Sequence, residues 1–212
     1  MRLALLPVLL LAAHAAPAAS AAQAVVDRIV ARIEKDVITL SDMQELAAYQ
    51  RLNGREPAAE PELLRELMDQ WIVIHDASSA RFPAPLPAQV DAEFAALRNQ
   101  VGTERFAARL RELHLTEADV RRLVAKEILV DHYLERKFRA QARVQPEAVE
   151  RYYREEFVPQ LQKRKQAVPP LEDVRDAITE VLLEREITRR AEQWIQQTRS
   201  QLDFQIVPEP QR

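Results

Sequence analysis

The scarcity of glycine constrains this chain more than any other feature of its sequence. Only 2 of its 212 residues are glycine, while long stretches carry apolar residues at helical spacing. Folds rich in β-structure use glycine freely in tight turns and bulges. The sequence therefore predicts a mainly α-helical protein.

The N-terminus has the order of segments that is typical of a secretory signal peptide. Arg2 supplies a positive charge, Leu3–Ala13 is almost wholly apolar, and small residues follow. The apolar run is shorter than the roughly 20 residues of a membrane-spanning helix, so a signal is favoured over a retained membrane helix. We expect residues 1–24 to be a signal peptide, cleaved after Ala21 or Ala24, and the exported protein to have no permanent membrane anchor.

β-Strands are predicted only at the two ends of the exported chain. Val25–Ile33 alternates apolar and polar residues, Val37–Leu40 offers a second short strand after a turn at Lys35-Asp36, and Asp203–Val207 alternates again. A lone strand leaves its backbone hydrogen-bonding groups unpaired. We therefore expect the two ends to pair in a small antiparallel sheet.

Helical periodicity fills the chain between these strands. A capping-box pattern at Ser41-Asp42-Met43-Gln44 predicts a helix that starts at Ser41 and ends near Asn53-Gly54. Three prolines within Arg81–Pro87 predict a stiff connector. The other predicted helices open at Pro61 or cover Pro87–Gln100, Thr103–Leu113, Thr116–Gln141, Glu147–Gln162 and Leu171–Leu202.

No pattern in the sequence predicts catalysis or a bound cofactor. The chain has no cysteine, which excludes disulfides, thiolate metal sites and cysteine nucleophiles. His75, His114 and His132 lack the spacing of a metal site, and two glycines do not build a phosphate-binding loop. We expect no catalytic residue, no cofactor and no metal, and these histidines to be ordinary helix-face or loop residues.

The charges do not predict a nucleic-acid-binding protein. The formal net charge is −3, so no global basic field attracts anionic polymers. Basic clusters at Arg121-Arg122, Arg136–Arg139 and Lys163–Lys165 have acidic residues nearby. We interpret them as solvated helix faces with pairs such as Glu186 and Arg190.

The order of segments resembles the N-terminal module of SurA-type periplasmic chaperones and related peptidyl-prolyl isomerases. The similarity covers essentially the whole exported chain. His114 stands where that family usually has a helix-closing glycine. The stretches that carry the resemblance are Val25–Ile33 with Val37–Asp42, Gly102–Phe106, Leu115–Arg121, Val144–Tyr153, and Pro170–Ile178 leading through Trp194 to Phe204–Val207.

The resemblance implies a trigger-factor-like helical cradle over residues 25–212, completed by the helix and strand at 171–207. It further implies a periplasmic, ATP-independent holdase that binds unfolded or partly folded envelope and outer-membrane proteins. Most of the family carries a parvulin isomerase domain between the last two helices. Only Val158–Pro169 occupies that place here, and no glycine follows Gly102, so we expect no isomerase activity.

Aromatic and apolar side chains on the predicted helices are the candidates for client contact. Among them, the adjacent pair Tyr152-Tyr153 is expected to place one ring inward and one outward, because neighbouring helical residues lie about 100° apart. The full set is Met43, Phe94, Phe106, Tyr133, Phe138, Tyr152, Tyr153 and Phe157.

Three alternatives stay open on the sequence alone. The first alternative to a general chaperone is an envelope adaptor that holds one folded partner. An isomerase that kept activity elsewhere is the enzymatic alternative. The short connector at residues 158–169 also permits a homodimer that exchanges its last helix.

Overall fold

The structure, a computed structural model, describes residues 27–208. The predicted signal peptide and its cleavage sites lie outside the described residues. The described part is mainly helical and carries a small antiparallel sheet of three strands, as the sequence predicts. Its strands are β1 (Ile29–Ile33), β2 (Asp36–Thr39) and β3 (Phe204–Ile206).

The helices follow the predicted order along the chain. They are α1 (Leu40–Leu52), α2 (Glu60–Ser79), α3 (Pro87–Val101), α4 (Thr103–Glu112), α5 (Glu117–Phe138), α6 (Pro146–Tyr152), a π-helical turn (Tyr153–Phe157), α7 (Val158–Lys163) and α8 (Leu171–Arg199).

The sheet joins the two ends of the described chain, which confirms the predicted pairing. Strand β1 lies between β2 and β3 and is antiparallel to both. Ala31 pairs with Ile206 and Ile33 with Phe204, and both β1 residues are fully buried. The last helix is thereby anchored to the first strand.

The β1–β2 turn and the cap of α1 each differ from the prediction by one or two residues. The turn is Glu34-Lys35, with Glu34 at φ 51°, and Asp36 already belongs to β2. The capping box is Thr39 with Asp42: Thr39 N–H donates to Asp42 Oδ2 at 2.8 Å. Two capping patterns overlap in the sequence, one beginning at Thr39 and one at Ser41. Thr39, the last residue of β2, has the extended backbone that an N-cap residue needs, so it caps the helix instead of Ser41.

Two main apolar clusters hold the body of the molecule together. One packs α1 and α2 against the sheet and includes Ala31, Met43 and Met68. The other lies among α1, α3, α4 and α5, where Phe94 and Phe106 meet edge to face at 5.5 Å between ring centroids. Helix α1 contributes to both clusters, so it acts as the shared wall between them.

The C-terminal half of α8 packs onto the body through smaller clusters. Ile187 and Ala191 are buried against Phe138 of α5. Trp194 lies beside Tyr133 of α5 in a further cluster that includes α2. The N-terminal half of α8 packs against α6 and contributes only Leu183 to these clusters.

Candidate binding surface

A helical hairpin at residues 146–185, here called the arm, is the most distinctive surface of the molecule. Its first side consists of α6, the π-helical turn and α7, and its second side is the N-terminal half of α8. The first side packs mainly against α8. The arm therefore has two helical layers, and the end of α5 approaches it where Arg139 pairs with Glu180 and Leu183 packs on the Phe138 cluster.

The apolar side chains of the arm are only partly covered. Within residues 146–185, only Val149 and Ile178 are fully buried. Val168 and Val181 are exposed, at 38% and 37%. The large apolar residues that are partly buried are Tyr152, Tyr153, Phe157, Val158, Leu161, Leu171, Val174, Leu182 and Leu183.

Two of the three aromatic residues of the arm contact each other, and the third lies beside Arg185 of α8. Tyr153 stacks on Phe157, with 5.9 Å between ring centroids, and its hydroxyl donates to the Pro169 carbonyl at 2.7 Å. The guanidinium of Arg185 lies 4.8 Å from the Tyr152 ring centroid. Both tyrosines are partly buried: the Tyr153 hydroxyl bonds to the linker before α8, and Arg185 of α8 lies over the Tyr152 ring. The expected division into one inward and one outward ring stays a prediction.

A proline explains the π-helical turn inside the predicted Glu147–Gln162 helix. In an α-helix, the ring of Pro159 would clash with the carbonyl of Glu155, and Pro159 has no N–H to donate. The turn Tyr153–Phe157 widens instead, and Val158 N–H donates to the Tyr153 carbonyl five residues earlier. Pro159 was the sequence signal for this irregularity.

The other five predicted contact residues lie in the core of the body. Their relative exposures are between 1% and 7%, and they fill the helix-packing clusters described above. Helical periodicity marks a buried face and a binding face with the same spacing, so the pattern alone did not separate them. In this conformation no client can reach Met43, Phe94, Phe106, Tyr133 and Phe138.

Two of the three basic clusters contain residues that form ion pairs, as the sequence predicts: Arg122 pairs with Glu45, and Arg139 pairs with Glu180. Glu186 pairs with Arg190 and also with Arg189, both at 2.7 Å. Its hydrogen bonds from Arg189 and then Arg190 lower the pKa of Glu186 to about 2. On the arm, Arg185 holds Glu156 through two bonds of 2.9 Å, which ties the two sides of the hairpin together.

The histidines occupy ordinary surface positions. His75 stacks on Trp71, with 4.6 Å between ring centroids, and His132 lies exposed on α5. His114 adopts the left-handed conformation, φ 55°, between α4 and α5. It thus performs the helix-closing role that the resemblance assigns to a glycine.

A cavity of about 770 Å³ lies between α1 and the α4–α5 connection, and polar and apolar groups line it in similar measure. It is lined by residues such as Arg51, Glu112 and Arg122. Arg122 already pairs with Glu45 and Asp119 from either side. Its charges are largely satisfied within the chain, so this cavity offers little to an apolar partner.

Searches for relatives give no independent identification. No known family model matches the sequence, and no curated protein matches it. Within residues 27–208, no helix has the length and apolar character to cross a membrane. The same residues contain no group of three or more histidine, aspartate or glutamate side chains arranged to hold a metal ion.

Proposed function

We propose that this chain is a SurA-type periplasmic chaperone, an ATP-independent holdase that binds unfolded or partly folded envelope proteins. The observation that carries the proposal is the arm, most of whose apolar side chains are only partly buried or are exposed. Contiguous exposed apolar surface is typical of protein-binding sites. The proposal places client contact on Tyr152, Tyr153 and Phe157 and on the aliphatic residues around them.

The physical character of the arm suits reversible capture. Burial of apolar surface contributes about 25 cal/mol per Å², so covering on the order of 300 Å² gives roughly 7 kcal/mol before ordering costs are subtracted. Net affinity from such a surface is modest, and the contacts are not directional. A client is then held without a fixed structure and released without nucleotide.

The fold agrees with the resemblance on which the proposal rests. A helical body whose terminal strands pair in one sheet is what the SurA-type module is expected to have. Only residues 164–170 join α7 to α8, which leaves no room for a parvulin domain at that place. The proposed function is therefore binding without isomerase catalysis.

The test is dilution of a chemically unfolded outer-membrane β-barrel protein into buffer, with and without the purified exported chain and without nucleotide. Light scattering reports aggregation. We expect suppression at near-stoichiometric amounts. An absence of suppression by a folded, helical chain would overturn the proposal and favour an adaptor for one folded partner.

Matched variants of the arm test where the client binds. Tyr152→Ser with Phe157→Ser removes two half-buried rings, and we expect suppression to fall several-fold. The control is Arg151→Ser with Glu155→Ser, which changes exposed polar residues on the same turns. Thermal unfolding of both variants establishes that the body stays folded. Equal suppression by the two double variants would refute client binding at the arm.

A further inference from the structure

The outer edge of strand β3 carries backbone groups that no neighbouring strand uses. β3 is an end strand of the sheet, in the order β2-β1-β3. Glu34 N–H donates to the Asp203 carbonyl at 3.0 Å, and Val207 N–H donates to the Val30 carbonyl at 2.9 Å. Since the residues of an antiparallel strand alternate in direction, Phe204 and Ile206 point their N–H and C=O groups away from β1.

An apolar groove of about 490 Å³ lies along this edge. Ile206 is 66% exposed there, the most exposed large apolar side chain among the described residues. The wall opposite the strand comes from α2 and the end of α8. The residues that line the groove are Pro61, Leu64, Arg65, Met68, Gln196, Arg199, Ser200, Phe204 and Ile206.

β3 has only three residues, and a short edge strand itself limits strand addition, but the other usual protective devices are absent from it. Natural edge strands carry lysine, proline or a bulge, whereas β3 reads Phe-Gln-Ile and pairs with β1 without a shift in register. Among residues 27–208, no strand uses the backbone donors and acceptors on the outer side of β3. The alternate side chains of a strand placed beside β3 would enter the apolar groove.

We propose that this groove binds an extended segment of an unfolded chain, which adds to the sheet as a fourth strand beside β3. The inference deepens the proposed function and rests on it, because the proposed function is what identifies the partner as unfolded protein. It names the conformation that is recognised: apolar residues at alternate positions, in a β-strand. The arm then serves as a second, less directional contact.

The size of the groove favours a peptide segment over a second copy of this chain. Nine residues line it, whereas a stable protein interface uses roughly 20–30 residues on each side. Its volume of about 490 Å³ falls within the range of small ligand sites. A short strand fits this space, and a stable dimer needs far more surface.

The charged residues that line the groove are both arginines, which favours acidic flanks on the bound segment. Arg65 lies 3.7 Å from Glu62, too far for a hydrogen bond, so its guanidinium keeps donors for a ligand. Arg199 already pairs with Asp69 at 2.6 Å and its Nε is buried, so Arg65 is the stronger candidate for contact with a ligand. We expect glutamate at the ends of a segment to be preferred over lysine.

The test uses a fluorescein-labelled peptide of about eight residues that alternates phenylalanine or leucine with threonine and has glutamate at both ends. Fluorescence anisotropy measures its binding to the full exported chain. Amide hydrogen exchange then reports on the strand itself. We expect the N–H groups of Phe204 and Ile206 to gain protection when the peptide binds.

Two pairs of matched controls make the strand geometry decisive. Ile206→Glu places a charge on the groove face, and we expect binding to weaken by about tenfold or more. Gln205→Glu changes the opposite face of the same strand, and binding should stay within about twofold. Peptides N-methylated at the amides that face β3 should lose binding, because those amides make the hydrogen bonds to the strand. Peptides N-methylated at the intervening amides, which face away from β3, should still bind.

The outcomes separate this inference from the proposed function. Equal binding by both sets of N-methylated peptides, or protection of Phe204 and Ile206 before peptide is added, would overturn strand addition. If peptide binding fails while aggregation is still suppressed, the inference alone is wrong. If the peptide binds as expected without suppression of aggregation, the inference stands and the chaperone proposal falls.

Discussion

A polar contact among three helices gives the sharpest prediction about stability. Lys137 of α5 places its ammonium 2.5 Å from Asp76 Oδ2 of α2 and 4.3 Å from the ring centroid of Trp194 of α8. The Tyr133 hydroxyl donates to the same oxygen at 2.5 Å. We expect the variants Lys137→Met and Asp76→Asn to be coupled in their effect on the free energy of unfolding.

The magnitude follows from the partial burial of the pair. The side chains of Lys137 and Asp76 are 28% and 38% exposed, so their interaction lies between a surface pair of about 0.2–1 kcal/mol and a fully buried one. The contact with Trp194 adds about 0.5–1 kcal/mol. We expect Lys137→Met to lower stability by about 1–2 kcal/mol, or the Tm by roughly 3–6 °C for a chain of this size.

The assay is a double-mutant cycle measured by urea unfolding with far-ultraviolet circular dichroism. We expect a coupling free energy of about 1 kcal/mol between the two sites. Arg136→Met, at the neighbouring exposed position of α5, should change stability by less than about 0.5 kcal/mol. Additivity of Lys137→Met and Asp76→Asn within about 0.3 kcal/mol would refute the reasoning.

The pH dependence of the coupling provides a second check. Burial acts to raise the pKa of Asp76, but the hydrogen bonds from Lys137 and Tyr133 outweigh it and hold that pKa below its usual value. A lowered carboxyl pKa contributes stability that is complete above the unfolded value of about 3.9 and is lost as the pH falls below it. The coupling should therefore be equal at about pH 7 and about pH 5.5. A coupling that disappears between those two values would contradict the assignment to Asp76.

Two further predictions concern the ends of single elements. Phe204→Ala should lower the free energy of unfolding by about 1.5–2.5 kcal/mol, because its half-buried ring packs on the sheet cluster. Gln205→Ala, on the exposed face, should change it by less than about 0.5 kcal/mol. Equal melting temperatures of the two variants would contradict the end-to-end sheet. His114→Gly should raise the free energy of unfolding by about 0.5 kcal/mol, because glycine accepts the left-handed conformation of this residue. His114→Val should lower it by about 1 kcal/mol or more, because a β-branched residue resists that conformation. The opposite order of melting temperatures would refute this account of the turn.

The sequence was a good guide wherever a local rule decides the structure. Proline and capping residues mark most helix starts, and Gly54 and Gly102 lie at positive φ beside helix ends. The order of helices and the pairing of the terminal strands were predicted from periodicity and from the need to satisfy backbone groups. The misplaced cap at Ser41 shows the limit of such rules, because two capping patterns overlap there.

The candidate binding site was only partly predictable. Of the candidate contact residues, Tyr152, Tyr153 and Phe157 are partly buried on the arm, whereas Phe106 and Phe138 fit the same helical pattern and are buried in the body. The groove beside β3 had no signal in the sequence. It arises because α2 and the end of α8 approach the free edge of β3, and these elements are far apart along the chain.

The sequence by itself determined the helical class and the order of the elements, because these depend on periodicity within short stretches. It also determined the closure of the sheet, because the strands at the two ends had to pair their backbone groups with each other. Only the tertiary structure decided which apolar faces are covered. Phe106 has helices on every side, whereas Phe157 has a partner on one side only. Exposure is a property of neighbours that are distant in sequence, and helical spacing carries no information about them.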